Sequence, residues 1–141
     1  MAKMLQDEAA SAMAVRQQTI AIVDDDEGIR KALGRLLTIC GYRVQLYGSA
    51  EEFMANMASD AVLLILDCQL GEQSGVELSR ELAAKGFRFP TVFMTGSDDE
   101  SLREQAMEAG CIGFLRKPFE ERDLREIMAK AIVASSRPRH A

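Results

Sequence analysis

The sequence predicts an α/β fold: one five-stranded parallel sheet, strand order 2-1-3-4-5, with helices on both faces. Short apolar runs alternate with helical patterns five times along the 141 residues, and such alternation builds a parallel sheet covered on both sides. Two of the runs, Thr19 to Val23 and Ala61 to Leu66, stop at acids. An apolar run ending in charge reads as a buried strand whose carboxyl end meets the rim of the sheet. Right-handed crossovers between successive strands then leave 2-1-3-4-5 as the leading order.

Each element has its own signal. After the first strand, Ile29, Leu33, Leu36, Leu37 and Cys40 form one helical stripe that Gly41 stops. Arg43 to Tyr47 is a short second strand. Ser49 and Glu52 have capping-box spacing and open a helix over Phe53, Met54 and Met57. Ala61 to Leu66 is the third strand. A polar turn, Gln69 to Ser74, leads to a helix carrying Val76, Leu78, Ser79 and Leu82 and ending at Gly86. Pro90 suits the start of a strand and not its middle, so the fourth strand is Thr91 to Met94. Ser97 and Glu100 repeat the capping spacing before a helix over Leu102 to Ala109, with Gly110 as its stop. Gly113 to Arg116 is the fifth strand, and Leu124, Ile127, Met128, Ala131 and Ile132 make the last helical stripe. The folded unit is residues 19–133. Residues 1–18, with Leu5, Ala9, Ala12 and Met13 on one helical face, read as a tail that is either a short helix or a frayed leader; residues 134–141 read as a disordered tail.

Composition narrows the function. A net charge of −5 opposes direct DNA binding by this chain, because phosphate lines both grooves. No apolar run reaches membrane-span length, so a cytoplasmic location is expected. Three cysteines, Cys40, Cys68 and Cys111, fit a reducing compartment as small core fillers, and packing is favoured over a redox role for Cys68. The single histidine, His140, lies in a polar tail, which leaves little room for imidazole chemistry.

The acids carry the chemistry. Asp24, Asp25 and Asp26 follow the first strand and Asp67 follows the third. In the flavodoxin-like order these strands are neighbours, and the switch point between them is where open sheets of this kind bind ligands. Carboxylates crowded there repel one another unless a cation sits among them. Oxygen ligands without histidine or cysteine select a hard cation, Mg2+ before Zn2+. The fourth strand ends in Thr95 and Gly96 and the fifth in Lys117 and Pro118. A hydroxyl and an ammonium beside a metal-bound carboxylate suit an anion that adds to it, and phosphoryl is the obvious candidate.

The series Val23-Asp24-Asp25-Asp26, Leu66-Asp67 with Ser74-Gly75, Met94-Thr95-Gly96 and Lys117-Pro118-Phe119 resembles the receiver domain of two-component response regulators over about Thr19 to Val133. The resemblance implies a single-domain response regulator with Asp67 as phosphoacceptor. It implies Mg2+, with Mn2+ as a substitute, bound by Asp25, Asp67 and the backbone carbonyl of Gln69, with Asp24 acting mainly through water. Thr95 and Lys117 are implied in phosphoryl binding, Phe114 as the switching aromatic, Gln69 and Ser97 in setting phosphate lifetime, and a cis bond at Lys117-Pro118. Asp26 falls outside this set. The implied partners are a sensor histidine kinase or phosphotransfer protein and a downstream protein target or homodimer. One departure stands out: family members often carry Met-Pro where this chain has Leu70-Gly71.

Other readings compete. Asp24 to Asp26 can cap the first helix, Asp67 and Thr95 can be turn residues, Lys117 a surface lysine, and Phe114 ordinary core. A haloacid-dehalogenase-like phosphatase would use Asp24 as nucleophile and Asp26 as acid, but that motif wants Thr or Val where Gly28 stands and gives Asp67 no task. A receiver-like module acting without phosphate is the third reading. The favoured one is a phosphoacceptor that promotes its own phosphorylation and dephosphorylation, not an enzyme.

Overall fold

In the computed structural model, residues 18–58, 60–71, 73–96 and 100–136 are described. Numbering only the strands of the main sheet, the order is β1 (Thr19–Val23), α1 (Glu27–Ile39), β2 (Arg43–Tyr47), α2 (Ala50–Ala55), β3 (Leu63–Asp67), α3 (Gly75–Ala84), β4 (Thr91–Thr95), α4 (Glu100–Glu108), β5 (Gly113–Arg116) and α5 (Glu121–Ser136). The five strands are all parallel and lie in the order β2-β1-β3-β4-β5, as expected. Between β3 and α3, Gln69–Leu70 pairs antiparallel with Gln73–Ser74, so the polar turn is a small hairpin.

Alternation along the strands builds two cores. Ala21, Val23, Leu64, Leu66 and Phe93 face one side with Phe53, Leu78, Leu82 and Ala106, from α2, α3 and α4. Ile20, Ile22, Leu63, Ile65, Val92 and Met94 face the other with Leu33 and Leu37 of α1 and Leu124, Ile127 and Met128 of α5. Every residue of β1 and β3 is buried, which explains why these strands read as unbroken apolar runs. Full burial of each large aliphatic side chain contributes roughly 1.5–3 kcal/mol.

Helix ends follow the residues anticipated for them. Asp26 caps α1 by accepting from the Ile29 N–H at 3.1 Å. Ser49 Oγ accepts from the Glu52 N–H at 3.0 Å, and Glu52 Oε2 accepts from the Gly48 N–H at 2.8 Å. Gly41, Gly86 and Gly110 take φ of 98°, 90° and 82° and close α1, α3 and α4 with paired bonds back to the last turn, such as Tyr42 N–H to Leu37 O at 3.0 Å.

Four expectations need correction. β3 runs Leu63–Asp67, not from Ala61, whose N–H is used in a turn to Ala58 O. Met57 lies outside α2, which Asn56 caps. Cys40 is exposed, Cys111 half-buried and only Cys68 buried, because α1 ends at Ile39 and Cys40 caps it. The final helix continues to Ser136, three residues into the stretch expected to be a disordered tail. The possible helix over residues 1–17 lies outside the described residues. No helix among the described residues is long and apolar enough to cross a membrane.

Candidate functional site

Sheet register creates the acidic cluster. Val23 is level with Leu66 across β1 and β3, so the next positions, Asp24 and Asp67, are set side by side. Asp24 is wholly buried and Asp67 is 6% exposed, whereas Asp25 is exposed. One carboxylate oxygen from each of the three lies within 4.8 Å of the others. An open cleft above them is lined by Asp25, Asp26, Asp67, Gly71, Gly96 and Lys117 among others.

Lys117 answers part of this charge. Its Nζ donates to Asp67 Oδ2 at 2.7 Å and lies 2.9 Å from Asp24 Oδ2. The second contact is an ion pair too poorly aligned to count as a hydrogen bond, so the buried Asp24 Oδ2 has no hydrogen-bond donor. Asp24 Oδ1 accepts from the Asp26 N–H at 2.8 Å, and Asp67 Oδ1 from the Gln69 N–H at 3.0 Å. Burial pushes the Asp67 carboxyl above its ordinary value and Asp24 adds to this, against the Gln69 N–H and Lys117, which pull it down. Burial alone would lower Lys117, but its contacts with Asp67 and Asp24 outweigh burial and raise it. One ammonium among three carboxylates leaves the cluster short of positive charge, and the donor set is all oxygen. Those residues fit a hard divalent cation.

Two glycines shape the loop after Asp67. At Gly75, the first residue of α3, a Cβ would overlap the Asp67 carbonyl oxygen and stand 2.9 Å from its carbonyl carbon and 3.2 Å from Cys68 Cα. The Gly75 N–H donates to Cys68 O at 2.9 Å. Gly71, at φ 62°, donates its N–H to Asp25 Oδ2 at 3.2 Å. Proline could supply neither that φ nor that donor, so Leu70-Gly71 gives Asp25 a partner that Met-Pro would not.

Of the other residues singled out, Thr95 closes β4 and its carbonyl accepts the Lys117 N–H at 2.8 Å; its neighbour Gly96 lines the cleft. The Lys117-Pro118 peptide is cis. Phe114 is half-buried in β5, 6.2 Å from the Phe93 ring, with the Arg103 guanidinium 5.7 Å above its own ring. Ser97 lies outside the described residues. The role of Gly75 was not legible in the sequence, nor was that of Arg30, whose Nη1 donates to Asp24 O at 2.8 Å. No spacing rule marks an arginine that binds a main-chain carbonyl.

A sheet of this order with acids at its switch point fits a receiver. Residues 20–129 match the family model of the response regulator receiver domain, and the chain belongs to that family. Among curated relatives it is 38% identical over 115 residues to the transcriptional regulatory protein FixJ of Rhizobium meliloti (strain 1021), covering 80% of this chain and 56% of that one. It is 38% identical over 110 residues to the response regulator protein TmoT of Ectopseudomonas mendocina, covering 77% and 50%. The chain thus spans about half the length of the curated relatives it matches. Among solved structures, the crystal structure of FixJ-N aligns with a TM-score of 0.75 at 35% identity, over 89% of this chain and 98% of that one. A receiver protein from Pseudoalteromonas atlantica aligns with a TM-score of 0.76 at 32% identity, over 84% and 99%.

Proposed function

We propose that the protein receives a phosphoryl group on Asp67 from phosphohistidine on a sensor kinase or phosphotransfer protein and passes the change on by protein contact. The observation that carries this reading is the convergence of Asp24, Asp25, Asp67 and Lys117 from three strand ends on one open cleft.

Asp25 and Asp67, with the Gln69 carbonyl, would hold Mg2+ or Mn2+, and Asp24 would act on it through water. When bound, the cation offsets negative charge on the incoming phosphoryl oxygens. The chain's own residues do the rest. The Asp67 carboxylate forms the new O–P bond as the N–P bond of phosphohistidine, protonated on its other ring nitrogen, breaks, and the imidazole leaves as the neutral ring keeping that proton. Lys117 pairs with the phosphoryl oxygens, and Thr95 donates its hydroxyl to one of them. Gln69 and Ser97 set how long the phosphate lasts. The new charge then shifts a two-state equilibrium through Thr95 and Phe114. The protein acts as a phosphoacceptor that assists its own modification, not as an enzyme with a separate substrate. A net charge of −5 favours a protein target or a second copy over DNA.

A phosphatase using Asp24 as nucleophile is disfavoured because that side chain is wholly buried and does not line the open cleft, whereas Asp67 does. Acetyl phosphate with Mg2+ tests both readings by intact-mass spectrometry. The expected result is one added phosphoryl group, lost in Asp67→Asn. Turnover that survives Asp67→Asn and disappears in Asp24→Asn would establish the phosphatase instead.

A further inference from the structure

The acidic turn between β1 and α1 is held from both sides through its main chain. Asp24 donates its N–H to Tyr47 O at 3.1 Å. Its carbonyl oxygen accepts from Arg30 Nη1 at 2.8 Å. Arg30 stands in the first turn of α1, and its own N–H donates to Asp26 O at 3.0 Å, so this residue is tied to the acidic turn twice. Arg30 is half-buried, and its guanidinium lies over Gly48, where a Cβ would stand 3.2 Å from Nη1 and 3.3 Å from Glu52 Oε2. A Cβ at position 48 would press the guanidinium aside by a few tenths of an ångström.

The bond to the Asp24 carbonyl fixes the plane of the Asp24–Asp25 peptide, and that plane together with the φ of Asp25 sets the direction of the Asp25 Cα–Cβ bond. Asp25 depends on this more than its neighbours do. It is exposed, and its carboxylate accepts a 3.2 Å bond from Gly71 in the hairpin, whereas Asp24 and Asp67 are buried and paired with Lys117.

We propose that Arg30 is a positioning residue for the divalent cation, holding the Asp24–Asp25 peptide so that Asp25 is aimed at the ion it shares with Asp67. This rests on the metal reading given above. Groups that orient metal ligands from behind typically change affinity by about 10–100-fold when removed, and a guanidinium-to-carbonyl bond is charge-assisted. Charge alone predicts the opposite sign. A cation near the cluster opposes a second cation, so its deletion would tighten Mg2+ binding.

Titrating Mg2+ into the full chain by calorimetry, with urea unfolding of each variant, decides the matter. Arg30→Met should weaken Mg2+ binding about tenfold, and Arg30→Lys, which still reaches the carbonyl with one N–H, should stay within about threefold of the parent. Arg30→Gln, too short to reach, should match Arg30→Met and serves if the latter does not fold. Mg2+ binding to Arg30→Met or Arg30→Gln that is unchanged or tighter, while Asp25→Asn binds weakly, overturns the role of Arg30 and leaves the metal reading standing. Undiminished binding by Asp25→Asn overturns both.

Discussion

Replacing Gly75 by alanine tests how tightly the end of β3 is built into the start of α3. The new Cβ would overlap the Asp67 carbonyl oxygen and sit 2.9 Å from its carbonyl carbon, where relaxed carbon contacts begin near about 3.5 Å. The main chain must therefore move by at least about 0.6 Å. Neither side yields easily. Asp67 ends a buried strand held between β1 and β4, and Gly75 is bonded to Cys68 O at 2.9 Å. Overpacking a core costs roughly 1–3 kcal/mol, and because both partners here are backbone, about 3 kcal/mol is expected. For a chain of this size that lowers Tm by roughly 10–15 °C. Gly86→Ala is the control: at φ 90° with nothing within 4 Å of the new Cβ, it pays about 1–2 kcal/mol for the left-handed backbone and nothing for contact. Urea unfolding of both variants measures the difference. A Gly75→Ala protein within 1 kcal/mol of the parent, or no less stable than Gly86→Ala, would refute the argument.

Two further outcomes follow from the charge and thiol environments. Burial raises the Asp67 carboxyl above its unfolded value, so its contribution to stability is present below the ordinary carboxylate pKa of about 3.9 and is lost as pH rises through the raised value. In EDTA, Asp67→Asn should therefore be more stable than the parent at neutral pH and show no such gain below about pH 3; equal stability at both values would contradict this. Cys68 is 1% exposed and burial pushes its thiol up to about 12, leaving roughly one part in ten thousand as thiolate at pH 8. Iodoacetamide at that pH should label exposed Cys40 and spare Cys68 until the protein is unfolded, as read by peptide mass spectrometry. Early labelling of Cys68 would count against its burial.

How much could be read from the sequence depended on whether the signal was local. Strand order and the acid pair were legible because buried parallel strands leave unbroken apolar runs, and the alignment of Val23 with Leu66 turns two separate run-ends into neighbours. Caps were legible because Asp26 and Ser49 bond to residues three positions on. What escaped depends on contacts far apart in sequence or on main-chain geometry. Cys40 continued the helical stripe, yet the turn that would have buried it is absent because Gly41 ends α1. The Gly71 bond to Asp25 spans the gap between two loops, and Gly75 shows its purpose only against a carbonyl eight residues earlier.

The bond from Gly75 N–H to Cys68 O pins together the two ends of the hairpin loop. The main chain at 67 keeps its station through changes in between, being referred to helix and sheet, while the Gln69 N–H at 3.0 Å ties the carboxylate itself to the loop. Gln73, half-buried on the lining of the cleft, is thus a position whose change alters what approaches the acid without moving its main chain.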